Sequence, residues 1–248
     1  MIDPANRVVV VTGASSGIGA ALGQGFSRRG ARVVLVARRF ERLEAVAQNC
    51  DGEVLIVAAD LITDTGRKSV VKNTMKRWGA IDILVNNAGM GMYAHFSDCT
   101  ESDWHRIFEI NLFSAVFLTR LVLPIMQARK KGLVINMASI GGLIAHSDNV
   151  SPYIASKHAL VGFSRGLSRD VADNGIRVIA VCPHLTQTEF FKTSSGADKM
   201  APVVEKYKKF MDTPEDVARG ILNQLDSERI VVFPTRKPEM AYQKQRDL

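Results

Sequence analysis

The sequence predicts an α/β protein built on a seven-stranded, mostly parallel, doubly wound sheet with helices on both faces. Three observations lead there. Short aliphatic runs recur along the chain, as in VVVV at 8–11 and LVINM at 133–137. Segments with apolar residues at helical spacing separate most of these runs, and such alternation makes parallel sheets covered on both faces. The stretch VVVVTGASSGIGAALGQGFSRRG at 8–30 reads as strand, tight turn and helix in direct succession. No linker divides the 248 residues, so one domain over 1–248 is expected.

Gly13, Gly17 and Gly19 punctuate the first turn, with Ser15, Ser16 and Ile18 among them. Glycines permit the sharp bend and let a ligand approach the backbone, aiming N–H groups and a helix N-terminus at phosphate. Dinucleotide binding is therefore the first hypothesis. The second strand, 33–36, ends in Ala37-Arg38-Arg39. That is about 20 residues past the glycine turn, where a fold of this type meets the adenosine ribose. A carboxylate there would hold a 2′-hydroxyl, whereas guanidinium forks suit a 2′-phosphate. No carboxylate occurs until Glu41, so the residues favour NADP(H) over NAD(H). The competing reading is that both arginines simply open a solvated helix.

A third strand, 54–58, closes on Asp60-Leu61, where Asp60 either meets the adenine or caps the next helix, 63–78. The fourth strand, 83–85, runs into Asn86-Asn87-Ala88-Gly89. The amides suit the tying of neighbouring loops and Gly89 a close approach to a cofactor, though alone the tetrapeptide reads as a turn. A long helical stretch over 101–129 is expected to be interrupted near Asn111, a short polar side chain that needs a hydrogen-bonding reason. Strand five, 133–137, delivers Ser139 to a C-terminal strand end, where open α/β sheets bind ligands. The helix from about 153 to 173 sets Tyr153 and Lys157 on one face. Strand six stops at Pro183, and 184–211 then breaks the rhythm. That segment carries Phe190, Phe191, Met200 and Phe210 and sits where a substrate lid belongs. Thr213 is the expected cap of a further helix, with Pro214 first and Asp216 third inside. A short strand in RIVVFP follows, and a polar tail from about 236 is expected to have no strong structure of its own.

The formal charge of +7 is scattered among acidic residues, with no nucleic-acid motif, so attraction of anionic cofactors and substrates accounts for it and no nucleic-acid partner is expected. No run approaches the ~18 consecutive apolar residues of a spanning helix. MIDPANR enters the first strand directly, without a leader's character. Cys50, Cys99 and Cys182 are dispersed and lack clustered histidines, which suggests neither disulfides nor zinc and points to a cytoplasmic protein without a metal.

TGASSGIG at 12–19, Asp60, NNAG at 86–89, Asn111, Ser139 and YIASK at 153–157 together resemble the classical short-chain dehydrogenase/reductase family over essentially the full length. The resemblance implies a Rossmann-type fold and hydride transfer between a nicotinamide and a carbonyl or secondary alcohol. It implies a cofactor site made of the glycine loop, Arg38, Arg39, Asp60, Leu61, Asn87, Ala88, Gly89, Tyr153, Lys157, Pro183, His184 and Thr188. Tyr153 would be the general acid/base, a phenol whose reference pKa near 10 calls for help from the Lys157 charge. Ser139 would hydrogen-bond the reacting oxygen. Lys157 is further implied to hold the nicotinamide ribose, and Asn111 to support a proton-relaying water. Ser139, Tyr153, His184, Phe190 and Phe191 are the expected substrate contacts. His146 and His158 are not needed as bases beside that pair. One departure stands out: the family's usual Pro-Gly after strand six is Pro183-His184 here, which adds bulk at the nicotinamide pocket. A medium-sized ketone or aldehyde is the expected substrate, with a 3-oxoacyl thioester as alternative and a non-catalytic dinucleotide sensor or scaffold as the competing class. Homodimers or homotetramers through the helices at 101–129 and 153–173 are also implied.

Overall fold

The computed structural model describes residues 2–145 and 147–246, for Arg246 the backbone alone. The valine run forms β1 (Val8–Thr12), buried along its whole length. It is joined by β2 (Arg32–Ala37), β3 (Val54–Ala58), β4 (Ile83–Asn86), β5 (Gly132–Met137), β6 (Ile176–Val181) and the short β7 (Val231–Val232). Their order is β3-β2-β1-β4-β5-β6-β7, and every neighbouring pair is parallel. The helices are α1 (Gly17–Arg28), α2 (Phe40–Ala47), α3 (Asp64–Trp78), α4 (Glu101–Phe108), α5 (Ser114–Ala128), α6 (Ser151–Asp170), α7 (Phe190–Thr193), α8 (Ala197–Tyr207), α9 (Pro214–Leu222) and α10 (Arg236–Arg246).

Successive strand residues point to opposite faces, and both faces are packed. Val9, Val11, Leu35 and Val85 meet Leu22 and Phe26 of α1 and Val217 and Ile221 of α9. Val8, Val10, Val34 and Leu84 meet Val70 of α3, Leu118 and Val122 of α5 and Leu167 of α6. Each such side chain contributes about 1.5–3 kcal/mol by leaving water, which is why the continuous apolar runs are strands with two buried faces. After β3 the chain returns to place β4 beside β1. The loops leaving these two strands therefore diverge and open a crevice at their C-terminal ends.

The helix interruption expected near Asn111 is a π-turn, Glu109–Phe113, between α4 and α5. By length and composition, 101–128 also passes as a membrane-spanning helix, because its polar residues are few enough although no long unbroken apolar run exists. Its packing is that of a sheet-covering helix: Ile107, Leu118, Val122 and Met126 are fully buried. Thr213 caps α9 as expected, accepting a hydrogen bond from the Asp216 N–H, with Pro214 in the first turn.

Two expectations are corrected. Asp60 does not cap α3; Thr63 does, accepting from Gly66 N–H, while the Asp60 carboxylate turns back to its own loop at Ile62 N–H. The tail from 236 is not structureless, for α10 runs through Arg246. Its few apolar residues give a weak period, and tertiary anchors supply what the pattern lacks. Lys237 Nζ reaches Asp212 Oδ1 at 2.8 Å, Thr235 donates to Asp212 Oδ2 at 2.7 Å, and Tyr242 packs on Phe233.

Asp212 is only 5% exposed, and its backbone also pairs with Leu185 and Gln187, so one residue joins the tail to the segment after β6. Asp212→Ala should lower the unfolding free energy in urea by about 2 kcal/mol, because a buried acceptor of a cation and a hydroxyl is removed. A change within about 0.5 kcal/mol would show that α10 docks without it.

Candidate active site

The crevice is a cavity of about 470 Å³, within the size range of small-molecule and cofactor sites. At its floor, Gly13 adopts φ +64° and Gly19 admits no side chain, since a Cβ there would lie 2.3 Å from the Gly13 carbonyl oxygen. Ser16 precedes α1 in extended conformation without capping it through its side chain. The first-turn N–H groups of α1 thus remain available to an anion. Ser15, Gly17 and Ile18 line the same cleft.

Thr12 holds this loop to the next. Its Oγ1 accepts from the N–H groups of Asn87 at 2.8 Å and Ala88 at 3.0 Å and donates to the Val85 carbonyl. The Asn87 amide donates back to the carbonyls of Thr12 and Gly13. Of the two asparagines, Asn87 ties the loops together. Asn86 turns beneath the sheet end and donates to Thr119 Oγ1 and Asn136 Oδ1, and the Asn136 amide donates to Ser164. Thr12, Asn136 and Ser164 were not among the expected site residues; an asparagine amid the buried aliphatics of β5 was the available signal.

Arg38 and Arg39 line the cleft beyond the glycine loop, the latter 3.4 Å from Ser15 Oγ. Among the described residues neither has a carboxylate partner, so both guanidinium groups are available to a ligand phosphate. Asp60, Leu61 and Ile62 also line the cleft, and Asn87, Ala88 and Gly89 line it beside the glycine loop, Ala88 packed against Gly13.

Across the cleft, Ser139 lies two residues beyond β5 and Tyr153 and Lys157 lie one turn apart on α6. The Tyr153 hydroxyl hydrogen-bonds Ser139. Lys157 is 4% exposed; its Nζ donates to the Met137 carbonyl at 2.8 Å and lies 5.9 Å from the Tyr153 ring centre. Burial pushes the Tyr153 phenol up to about 12, with the Ser139 hydrogen bond opposing, and burial pushes the Lys157 ammonium down to about 8. At neutral pH the tyrosine is therefore the proton-bearing phenol and the lysine still largely a cation. The expected lowering of the phenol by Lys157 is not seen in the protein alone, where Ser139 is what opposes desolvation.

Asn111 sits within the π-turn, its side chain making three hydrogen bonds. Oδ1 accepts from Met90 N–H, and Nδ2 donates to the Met90 carbonyl and to Ser156 Oγ. It fastens the loop after β4 to α6, next to Lys157, and does not touch Lys157 itself. Pro183, His184, Thr188, Phe190 and Phe191 also line the cavity, Thr188 packed closely against Gly17. Glu189 forms an ion pair with Arg42 of α2. His158 is exposed, with Nδ1 at its own helix carbonyl Ile154, and His146 lies outside the described residues.

A family model described as short chain dehydrogenase matches residues 7–199. The chain belongs to the short-chain dehydrogenase/reductase family. The human dehydrogenase/reductase SDR family member 7 is 39% identical over 202 residues, covering 78% of this chain and 59% of that longer protein. A short-chain dehydrogenase from Streptomyces avermitilis superposes with TM-score 0.87 at 30% identity, over 98% of this chain and 92% of that one. The L-sorbose reductase of Gluconobacter frateurii, solved with NADPH and L-sorbose, gives 0.81 at 31% identity over 92% and 95%. This dehydrogenase is accordingly an oxidoreductase of hydride-transfer chemistry that binds a nicotinamide dinucleotide. The uncapped α1, the closed cradle at Gly19 and two arginines with no carboxylate partner among the described residues fit such a ligand.

Thr12→Val keeps the shape of Thr12 but strands two N–H donors. It should cost about 1–3 kcal/mol in chemical denaturation and weaken dinucleotide binding in a fluorescence titration. An unchanged denaturation midpoint would mean the two loops hold together by packing alone.

Proposed function

We propose that the protein is an NADP(H)-preferring reductase of a medium-sized ketone or aldehyde, with Tyr153 as general acid/base. The observation that carries this reading is the meeting, in one cleft, of a hydrogen-bonded Ser139–Tyr153 pair, a buried Lys157 and two arginines that have no carboxylate partner among the described residues. Residues 1–248 act as one domain, with 184–211 as its substrate lid. The solved relative with NADPH accords with the cofactor preference.

The nicotinamide, when bound, supplies the hydride in reduction and receives it in oxidation. In reduction Tyr153 gives its phenolic proton to the carbonyl oxygen, and Ser139 bears part of the charge developing there. Lys157 stabilises the tyrosinate left behind, and its hydrogen bond to the Met137 carbonyl keeps the ammonium directed at the site. Lys157 also holds the nicotinamide ribose, and Asn111 fixes the loop and helix on which a relay water would rest. The glycine loop and α1 hold the pyrophosphate, Asp60 and Leu61 the adenine, and Arg38 and Arg39 the 2′-phosphate. Asn87, Ala88, Gly89, Pro183 and Thr188 complete the cofactor wall. His184 narrows the substrate side together with Phe190 and Phe191.

The same reading makes the protein a cytoplasmic homodimer or homotetramer through α5 and α6. Phe113 and Phe117 stack on each other at 5.8 Å while 36% and 38% exposed, and Leu123 and Pro124 of α5 form a groove with Phe163 and Leu167 of α6.

Tyr153→Phe should lower kcat for a working carbonyl substrate by at least about 100-fold, with coenzyme binding retained in a fluorescence titration; a smaller loss contradicts the assigned acid. Reductive kcat/KM should fall as pH rises through about 8, because the Lys157 ammonium is lost there while Tyr153 keeps its proton to about 12. A profile flat to alkaline pH would separate Lys157 from catalysis. Replacing both Arg38 and Arg39 by Ala should raise KM for NADPH by about 10-fold or more and leave that for NADH nearly unchanged. Equal effects on both coenzymes would refute the 2′-phosphate assignment.

A further inference from the structure

Four aromatic rings meet at the substrate end of the cleft. Phe190 stands edge-on to Tyr153, with centres 6.0 Å apart, and edge-on to Phe191 at 5.7 Å. Phe191 in turn stacks on Tyr93 at 6.4 Å, the planes 24° apart. All four line the cavity. Tyr93 is buried, and its hydroxyl is committed to a hydrogen bond with Ser194, so it offers a ligand a ring rather than a polar group. The wall between is aliphatic, made of Val150, Ile154, Leu185 and Met200.

The rings are fixed by backbone on both flanks. Tyr93 N–H donates to the Ser195 carbonyl at 2.9 Å, and Ser195 N–H to the Gly91 carbonyl. Ser194 Oγ accepts from Gly91 N–H and donates to the Phe190 carbonyl at 2.6 Å. At the other end, Leu185 and Gln187 are held by the Asp212 backbone. The single turn bearing Phe190 and Phe191 is thus fastened before and after, and its rings are in place before a substrate arrives. Preorganised surfaces of this kind select by shape.

We propose that this enzyme reduces flat, ring-bearing carbonyl compounds, aryl ketones and aldehydes, in preference to open-chain polyhydroxy ones, with Tyr93 as a specificity-determining residue. The inference rests on the hydride-transfer reading above. An aromatic substrate ring gains edge-to-face and offset contacts with Phe190 and Phe191. A sugar hydroxyl against the same walls loses its water and gains no partner. The carbonyl carbon receives the hydride of the reduced dinucleotide, the C=O π bond opens, and the oxygen takes the Tyr153 proton. The products are a benzylic alcohol and the oxidised dinucleotide.

The test compares kcat/KM with NADPH for 4-nitroacetophenone, 2-octanone and a ketohexose. Wild type is expected to prefer the aryl ketone. Tyr93→Leu should reduce the aryl-to-aliphatic ratio at least about ten-fold, through KM, whereas Tyr93→Phe, which keeps the ring, should hold it within about three-fold. Comparing this ratio between variant and wild type cancels the intrinsic reactivity of the ketones and any loss of folded enzyme. An unchanged ratio in Tyr93→Leu, or a wild type that favours 2-octanone or the ketohexose, overturns the ring box and leaves hydride transfer standing. No turnover of any of the three with NADPH or NADH overturns both.

Discussion

An ammonium taken out of water beside a desolvated phenol is the constraint around which this protein is arranged. Neither group is comfortable there: burial pushes Tyr153 up to about 12 and Lys157 down to about 8. The fold tolerates the pair because its other parts supply fixed dipoles. The Met137 carbonyl at the end of β5 takes the lysine, and the Ser139 hydroxyl two residues later meets the phenol. Both supports come from one strand end, so the register of β5 against β4 and β6 sets the geometry of the pair. The lysine's shift brings it toward neutral pH while the phenol's carries it away, so the phenol exchanges its proton near neutral pH only when positive charge gathers beside it.

The cofactor side is built on a different principle. Its recognition surface is backbone, shaped by glycines and held by one threonine hydroxyl that serves two N–H groups and one carbonyl. Below it, Asn86, Asn136, Thr119 and Ser164 satisfy one another in the core. Such a network is stable only when complete, and here it links β4, β5, α5 and α6 under both halves of the site. The two halves are consequently positioned by shared interior contacts and not only by the loops that carry them.

Much of this was legible in the sequence. Two-faced strands show as continuous aliphatic runs, and the glycine turn, NNAG and the Tyr–Lys spacing are local patterns, so the sheet and the cleft residues follow from short windows. What escaped depends on distant partners. The helix at the C-terminus has too few apolar residues to announce itself, and its anchors Asp212 and Phe233 lie elsewhere in the chain. Asp60 and Thr63 are both plausible caps by type, and only the turn geometry chooses Thr63. Asn111 was recognisable as a polar residue needing partners, but those partners, Met90 and Ser156, belong to other elements. Tyr93 carried no local signal at all; its place among the rings comes from the backbone pairing of 91–93 with 194–196.

Central to the account is a proton held on Tyr153 by desolvation and released when positive charge gathers beside it. Enzyme labelled with carbon-13 at the phenolic carbon of tyrosine, with Tyr153→Phe identifying the resonance, reports that proton directly by NMR. In the protein alone the Tyr153 signal should titrate near 12. With saturating NADP⁺, whose nicotinamide is cationic, the same transition should move below about pH 9. A transition that stays where it was with the coenzyme bound would contradict the account.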